Sequence, residues 1–260
     1  MRTYLLGLMM AFAAQTASAG VVGKTVEYRQ GGAVLEGYLA YDDAVTARRP
    51  GVLVIHEWTG VGPYEKMRAE QLAKLGYVAF AADIYGKGIR PVGPEAAAKE
   101  AAKYRGDDRS LIRARAAAGL EQLAAFPQVD PRRLAVIGYC FGGTAALELA
   151  RSGADVLGTV SFHGGLNTPH PADARNIRGK VLALHGADDP FVKPDEVAAF
   201  QKEMRDAKVD WEMNFYGNAV HSFTNPKSGS DNSKGVAYNE KADRRSWEAM
   251  RQFFDEIFGR

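Results

Sequence analysis

Residues 134–150 read LAVIGYCFGGTAALELA and contain Cys140, the one cysteine of the 260-residue chain. The apolar stretch up to Tyr139 has the composition of a buried strand, and GTAALELA from Gly143 onward has that of a helix. Between them, Gly138-Tyr139-Cys140-Phe141-Gly142 leaves room only for one sharp turn centred on the cysteine. A lone cysteine in an apolar segment is ordinarily a small buried hydrophobe. Glycine at both second neighbours changes that reading, because it removes the side chains that would collide in such a turn and lets the sulfur stand out above a sheet.

This is the G-x-nucleophile-x-G elbow of α/β-hydrolases with cysteine in place of serine. It sets the sulfur at a helix N-terminus, whose partial positive charge favours the thiolate as a nucleophile. Such a nucleophile needs a base and a group to orient that base, and in this fold the acid and then the histidine follow in chain order. After the strand-like KVLALHG comes ADDPFVKP, with Asp188 and Asp189 at a strand's carboxyl end. The spacing Gly186, Asp189, Val192 selects Asp189 as the acid and leaves Asp188 as a turn or cap residue. His221, in the loop NFYGNAVHSF after the last strand, is the expected base. The oxyanion hole is assigned to the backbone N–H of Phe141 and that of Trp58, the latter in the loop after the strand ending at His56.

The other histidines receive plainer readings. His185 reads as a structural group, His170 between two prolines as exposed loop, His163 as either pocket lining or packing, and His56 as either near the site or packed. No histidine pair has helical metal-site spacing and one cysteine makes no thiolate cluster, so no metal and no cofactor is expected.

Outward from the elbow, short apolar runs alternate with longer segments of period near 3.6, which predicts an α/β fold: a mostly parallel central sheet of about eight strands with helices on both faces. KTVEYRQ and AVLEGYLAY, joined at Gly31-Gly32, predict an N-terminal antiparallel hairpin. GVLVIH, YVAFAAD, RLAVIGY, VLGTVSFH, KVLALHG and VDWEMNFY predict the remaining strands, and helices are expected over 62–76, 93–105, 107–126, 142–153, 193–207 and 238–258. Residues 217–235 have no period and read as a functional loop, since nineteen irregular residues are unusual in a compact domain.

Composition bounds the rest. With 46% hydrophobic and 25% charged residues the chain is globular, and residues 20–260 read as a single domain. Residues 1–19 combine Arg2, the apolar run LLGLMMAFAA and ASA at 17–19, which reads as a secretory signal peptide cleaved after Ala19 and predicts export, in a bacterium to the periplasm. The remainder carries 32 basic against 31 acidic residues, giving no general attraction to nucleic acid or a membrane surface. A monomer acting on a small ester or lactone is expected.

HEWTG, ADIYGKG, GYCFGG, HGADDPFV and HSF, in this order, resemble the dienelactone hydrolase family over roughly residues 25–258. The resemblance implies that Cys140, Asp189 and His221 form the triad, and that Glu57 contacts the resting thiol and takes up its proton when substrate binds. In the family, arginines after the D-x-Y turn and after the histidine hold a substrate carboxylate. Here Lys87 and Asn225 stand in those places, with Arg90 near enough to compensate, so the substrate-facing candidates are Lys87, Arg90, His163 and Asn225, and dienelactone itself is not the expected substrate. The resulting expectation is an ester, enol lactone or thioester hydrolase working through a thioester acyl-enzyme. The competing reading is a non-catalytic ligand-binding protein that retains the fold.

Overall fold

The computed structural model describes residues 20–106 and 108–259, so the expected signal segment lies outside the described residues. The hairpin forms as β1 (Val21–Gln30) and β2 (Ala33–Asp42), antiparallel and turning at Gly31-Gly32. The chain then alternates β3 (Arg49–Ile55), α1 (Pro63–Lys74), β4 (Val78–Ala82), α2 (Pro94–Ala102), α3 (Ser110–Ala124), β5 (Val129–Tyr139), α4 (Phe141–Arg151), β6 (Gly158–Phe162), β7 (Lys180–Gly186), α5 (Pro194–Asp206), β8 (Trp211–Tyr216) and α6 (Glu240–Phe258). One eight-stranded sheet results, in the order β1-β2-β4-β3-β5-β6-β7-β8. The pairings from β4 through β8 are parallel, whereas β2 meets β4 antiparallel. This is the α/β-hydrolase arrangement expected from the sequence.

Alternation along the central strands sorts their side chains to two faces. Val52, Val54, Ala135, Ile137, Val160, Phe162, Leu182 and Leu184 pack with Leu72 of α1 and with Met250 and Phe254 of α6. Leu53, Ile55, Phe80 and Val136 pack on the other side with Ile112 of α3 and Ala145 and Leu149 of α4, while Val181 and Ala183 meet Phe200 and Met204 of α5. Because both faces are covered, these strands read as continuous apolar runs rather than as an alternation.

β5 starts four residues before the expected Arg133, and its register against β3 shifts between Pro50 and Gly51. The 217–235 segment is not structureless. It contains 3-10 turns at Pro226–Ser228 and Asn232–Lys234, and its start is tied back by a parallel bridge between His221 and Val236. What positions the site is the carboxyl edge of this sheet, where the ends of β3, β5, β6, β7 and β8 come together.

Candidate active site

Cys140 sits at φ 53° and ψ −114°, a backbone conformation rarely occupied by residues other than glycine, directly between the end of β5 and the first residue of α4. The two flanking glycines are there for steric reasons. A Cβ on Gly138 would lie 1.9 Å from the carbonyl oxygen of Gly142, and one on Gly142 would lie 2.2 Å from that of Ile55. The second contact seats the start of α4 directly against the end of β3, so the elbow and the 56–58 loop share one rigid corner. The N–H of Cys140 donates to the carbonyl of Phe162 at 3.0 Å and to Nδ1 of His163 at 3.1 Å. The amide of Phe141, in the first turn of α4, has no partner inside its helix.

Three elements deliver the expected partners. Asp189, just past β7, is buried; its Oδ1 accepts from the N–H of Phe191 at 2.8 Å and its Oδ2 accepts from Nδ1 of His221 at 2.7 Å. His221 follows β8, and its Nε2 stands 3.0 Å from the sulfur of Cys140. The two loops are stitched together, because the N–H of Asp188 donates to the carbonyl of Ala219 and the N–H and C=O of His221 bond to Gly235 and Ala237. Burial disfavours the protonated imidazole of His221, but its electrostatic interaction with Cys140 and the hydrogen bond it donates to Asp189 outweigh it and push its pKa up to about 10.

Glu57 is buried, and both its oxygens are engaged: Ser222 Oγ donates to Oε1 at 2.8 Å and Asn225 Nδ2 to Oε2 at 2.6 Å. Its own N–H donates to Glu65 at 3.1 Å. Burial raises its pKa, while the bonds from Asn225 and Ser222 and the charge of His221 draw it back without cancelling that effect. The contact between Glu57 and the resting thiol implied by the resemblance is not the one present, since the sulfur's hydrogen-bond partner is His221. Cys140, Glu57, Trp58, His221, Ser222 and Asn225 all line one cavity of about 610 Å³, within the size range of small-molecule sites.

Three expected substrate-facing residues lie elsewhere. Lys87 is a surface residue ion-paired to Glu27. Arg90 spends its guanidinium on the carbonyls of Val61 and Ile89. His163 is fully buried and belongs to the scaffold: its Nδ1 accepts from Cys140, so its Nε2 donates to Thr224 Oγ1 at 2.7 Å, and Thr224 in turn contacts the hydroxyl of Tyr64 at 2.6 Å. Arg68 completes this network by donating to Tyr64 and to the carbonyl of Thr224, and by pairing with Asp243. Burial and the neighbouring charges of His221 and Arg68 hold His163 well below the usual imidazole range, which keeps it neutral and in this tautomer.

His56 also resolves into a positioning role. Its Nε2 accepts from the N–H of Ile84 at 3.1 Å, which makes Nδ1 the donor to the carbonyl of Glu57 at 2.5 Å, and its ring stacks on Phe141. Trp58 is held from the other side, its carbonyl accepting from the hydroxyl of Tyr85 at 3.0 Å. His185 is buried against Phe215, its Nδ1 without a hydrogen-bond partner among the described residues, and His170 is exposed. Sequence reasoning missed Ser222, Thr224, Tyr64, Arg68 and the cavity residues Arg105, Arg109 and Lys227. Ser222 and Thr224 adjoin His221 in sequence and could have been suspected. Lys227 lies in the same loop, while Tyr64 and Arg68 come from α1 and Arg105 and Arg109 from the segment between α2 and α3, with no local signal.

The chain as a whole is similar to known proteins in sequence and fold. The sequence profile of the dienelactone hydrolase family matches residues 35–258. The solved structure named m3DLH is 44% identical, with a TM-score of 0.88, covering 92% of this chain and 99% of that one. A dienelactone hydrolase-like promiscuous phosphotriesterase, P91, from metagenomic libraries is 42% identical with a TM-score of 0.87 and the same coverage of 92% and 99%. A protein of Aquifex aeolicus named "Putative carboxymethylenebutenolidase" is 28% identical over 239 residues, covering 90% of this chain and 98% of its own. With the fold, the family profile and these relatives in agreement, the chain belongs to the dienelactone hydrolase family and is an α/β-fold hydrolase of ester and lactone bonds.

Proposed function

We propose that the protein hydrolyses its substrate through a Cys140–His221–Asp189 triad and a thioester acyl-enzyme. The observation that carries this reading is the unbroken chain from the sulfur to Nε2 of His221 at 3.0 Å and from Nδ1 to Asp189 at 2.7 Å, at the wall of the cavity. The Cys140 thiolate attacks the carbonyl carbon, and the oxyanion that forms is held by the N–H groups of Phe141 and Trp58. The carbon–oxygen bond to the leaving group then breaks, and the departing alkoxide or enolate takes its proton from the His221 imidazolium. Neutral His221, steered by Asp189, next removes a proton from water; the hydroxide attacks the thioester and returns the thiolate.

Alkoxide and enolate leaving groups depart from a thiol-derived tetrahedral intermediate far more readily than amines, which favours activated esters, enol lactones and thioesters over peptides. The strain at Cys140 supports the same role, since backbone outliers persist where the surrounding structure over-determines them, as at active sites. Glu57 serves as a proton reservoir beside the base, a role that suits a buried carboxylate with a raised pKa. Turnover of 4-nitrophenyl acetate by the wild type, with none in Cys140→Ala, and a mass increase of one acetyl group on Cys140 after acid quench are the expected results. Equal turnover by Cys140→Ala would overturn the assignment.

Export is part of this reading, supported by the charged start, the apolar run and the small residues at 17–19. Sequencing the N-terminus of the protein purified from a periplasmic fraction tests it, with Gly20 as the expected first residue.

A further inference from the structure

Phe191 is an aromatic side chain that the fold orients yet leaves uncovered. It lies two residues past Asp189, lines the catalytic cavity and keeps 59% of its surface exposed. Its N–H donates to Oδ1 of Asp189 at 2.8 Å, which ties its backbone to the triad. Its ring stands edge-on to the imidazole of His221, with centres 5.5 Å apart and planes at 85°. Gly235 packs against the same ring: a Cβ there would lie 3.4 Å from two of the ring carbons, and the Gly235 carbonyl accepts the N–H of His221.

A phenyl ring left in water beside a catalytic imidazole forgoes the burial that ordinarily stabilises an aromatic side chain. Because these contacts orient the ring before anything binds, covering it costs little conformational entropy. A flat apolar group covers it best.

The order of the sheet says which part of a substrate that group is. Along the carboxyl edge the oxyanion amides of Trp58 and Phe141 follow β3 and β5, whereas Phe191 and His221 follow β7 and β8. The leaving group takes its proton from His221, so it departs on the side of Phe191. A second cavity of about 430 Å³ adjoins the first on that side, sharing Asn167, Phe191 and Glu196 with it, and Leu166, Ala199 and Phe200 give it apolar surface. Glu196, held by the amides of Leu166 and Asn167, places a carboxylate at the junction and disfavours an anionic group there.

We propose that Phe191 is the specificity-determining residue for the alcohol portion of the substrate: a neutral aryl group lies across its ring and reaches into the second cavity, so that the substrate is an ester of an extended phenol. The proposal rests on the hydrolase reading above and assigns it a leaving-group class. The chemistry agrees with it. Attack forms the bond from the Cys140 sulfur to the acyl carbon, the carbon–oxygen bond breaks, and the phenolate, a good leaving group, takes the His221 proton.

The test compares phenyl acetate with biphenyl-4-yl acetate. The two phenols are of similar acidity, so the esters differ in the reach of the leaving group rather than in intrinsic reactivity. The wild type is expected to favour the biphenylyl ester in kcat/KM by roughly tenfold, the scale of covering a half-exposed aromatic ring. Phe191→Ala should abolish most of that preference and Phe191→Leu should keep part of it. Ala199→Trp, which fills the second cavity from an exposed position on α5, should lower it as well. Phenyl hexanoate against phenyl acetate is the control for the acyl side, and Phe191→Ala should leave that ratio unchanged. Separately, binding of 4-phenylphenol to the wild type, followed by calorimetry, should weaken in Phe191→Ala and in Ala199→Trp. A wild type without the biphenylyl preference, a preference that survives in both variants, or a Phe191→Ala effect confined to the hexanoate ratio would overturn the subsite. Binding of 4-phenylphenol that depends on Phe191, with no turnover of any of these esters, would instead overturn the hydrolase mechanism and leave the subsite standing.

Discussion

The N–H of Cys140 donates to Nδ1 of His163 at 3.1 Å, so a fully buried imidazole grips the backbone of the strained elbow from the end of β6. His163 itself adopts φ 41°, and its other nitrogen reaches Thr224 in the loop that carries His221. One side chain thereby connects the segment bearing the sulfur to the segment bearing the imidazole.

Replacing His163 with leucine leaves the buried Thr224 hydroxyl without its donor and weakens the hold on the Cys140 amide. A destabilisation of roughly 1–3 kcal/mol is expected in urea unfolding, the usual cost of stranding a buried polar group. Because the elbow loosens, kcat should fall more than KM changes. His163→Asn, whose Oδ1 can stand in for Nδ1, should recover much of the loss.

Burial lowers the pKa of His221, and the electrostatic interaction with Cys140 is the largest influence that raises it, to about 10. Cys140→Ser removes the thiol that supplies this interaction, so the imidazole of His221 should titrate at a clearly lower pH in the variant than in the wild type. Side-chain ¹⁵N NMR titration of the two proteins reads this directly. An unchanged midpoint would refute the ion-pair arrangement.

Glu65 is a stability prediction with a definite sign. Burial, and then the charge of Glu57, push its pKa up from 4.5 to about 7. The folded chain therefore holds this proton more tightly than the unfolded chain. The stability it contributes is complete below pH 4.5 and is lost as pH rises through 7, an interval equivalent to roughly 3 kcal/mol if fully expressed. In Glu65→Gln the decline in unfolding free energy between pH 4.5 and 7 should flatten, at the cost of one of the two backbone N–H bonds, from Glu57 or Gly62, that the carboxylate accepts.

Asn225→Leu deletes a bond that lowers the pKa of Glu57. Its carboxyl group should then ionise at still higher pH. If Glu57 exchanges a proton during turnover, the acidic limb of the kcat/KM profile should move to higher pH in this variant. A superimposable limb would remove Glu57 from the proton inventory.

The elbow was legible because its geometry permits so few residues: Gly138 and Gly142 each meet backbone atoms that a Cβ would overlap, so sterics wrote them into the sequence. The sheet was legible for a similar reason, since strands buried on both faces show as unbroken apolar runs. Asp189 and His221 followed from chain order and strand ends. Two of the three misplaced substrate-facing residues were long polar side chains; the third, His163, is drawn into the scaffold by Cys140 and Thr224. Lys87 and Arg90 lie close in sequence to the turn after β4, yet Glu27 of the hairpin captures one and backbone carbonyls capture the other. Neighbourhood along the chain fixes where a backbone goes, whereas the destination of a four-carbon stem depends on partners contributed from elsewhere. Arg109 escaped notice for the converse reason, since the sequence around it reads as an ordinary helix start.

The loop after β8 supplies His221, Ser222, Asn225, Lys227 and Ser228 to the cavity, yet it is pinned at two places, the bridge from His221 to Val236 and the carbonyl of Asn218, which accepts from Asn232 and Asn239. Between those pins the exposed positions, Lys227 among them, can be rewritten with little consequence for the imidazole, whereas Phe223 and Thr224 are buried and held. Such a layout separates what turns over a bond from what chooses the molecule, so that drift in appetite among descendants of this scaffold need not begin with damage to its engine.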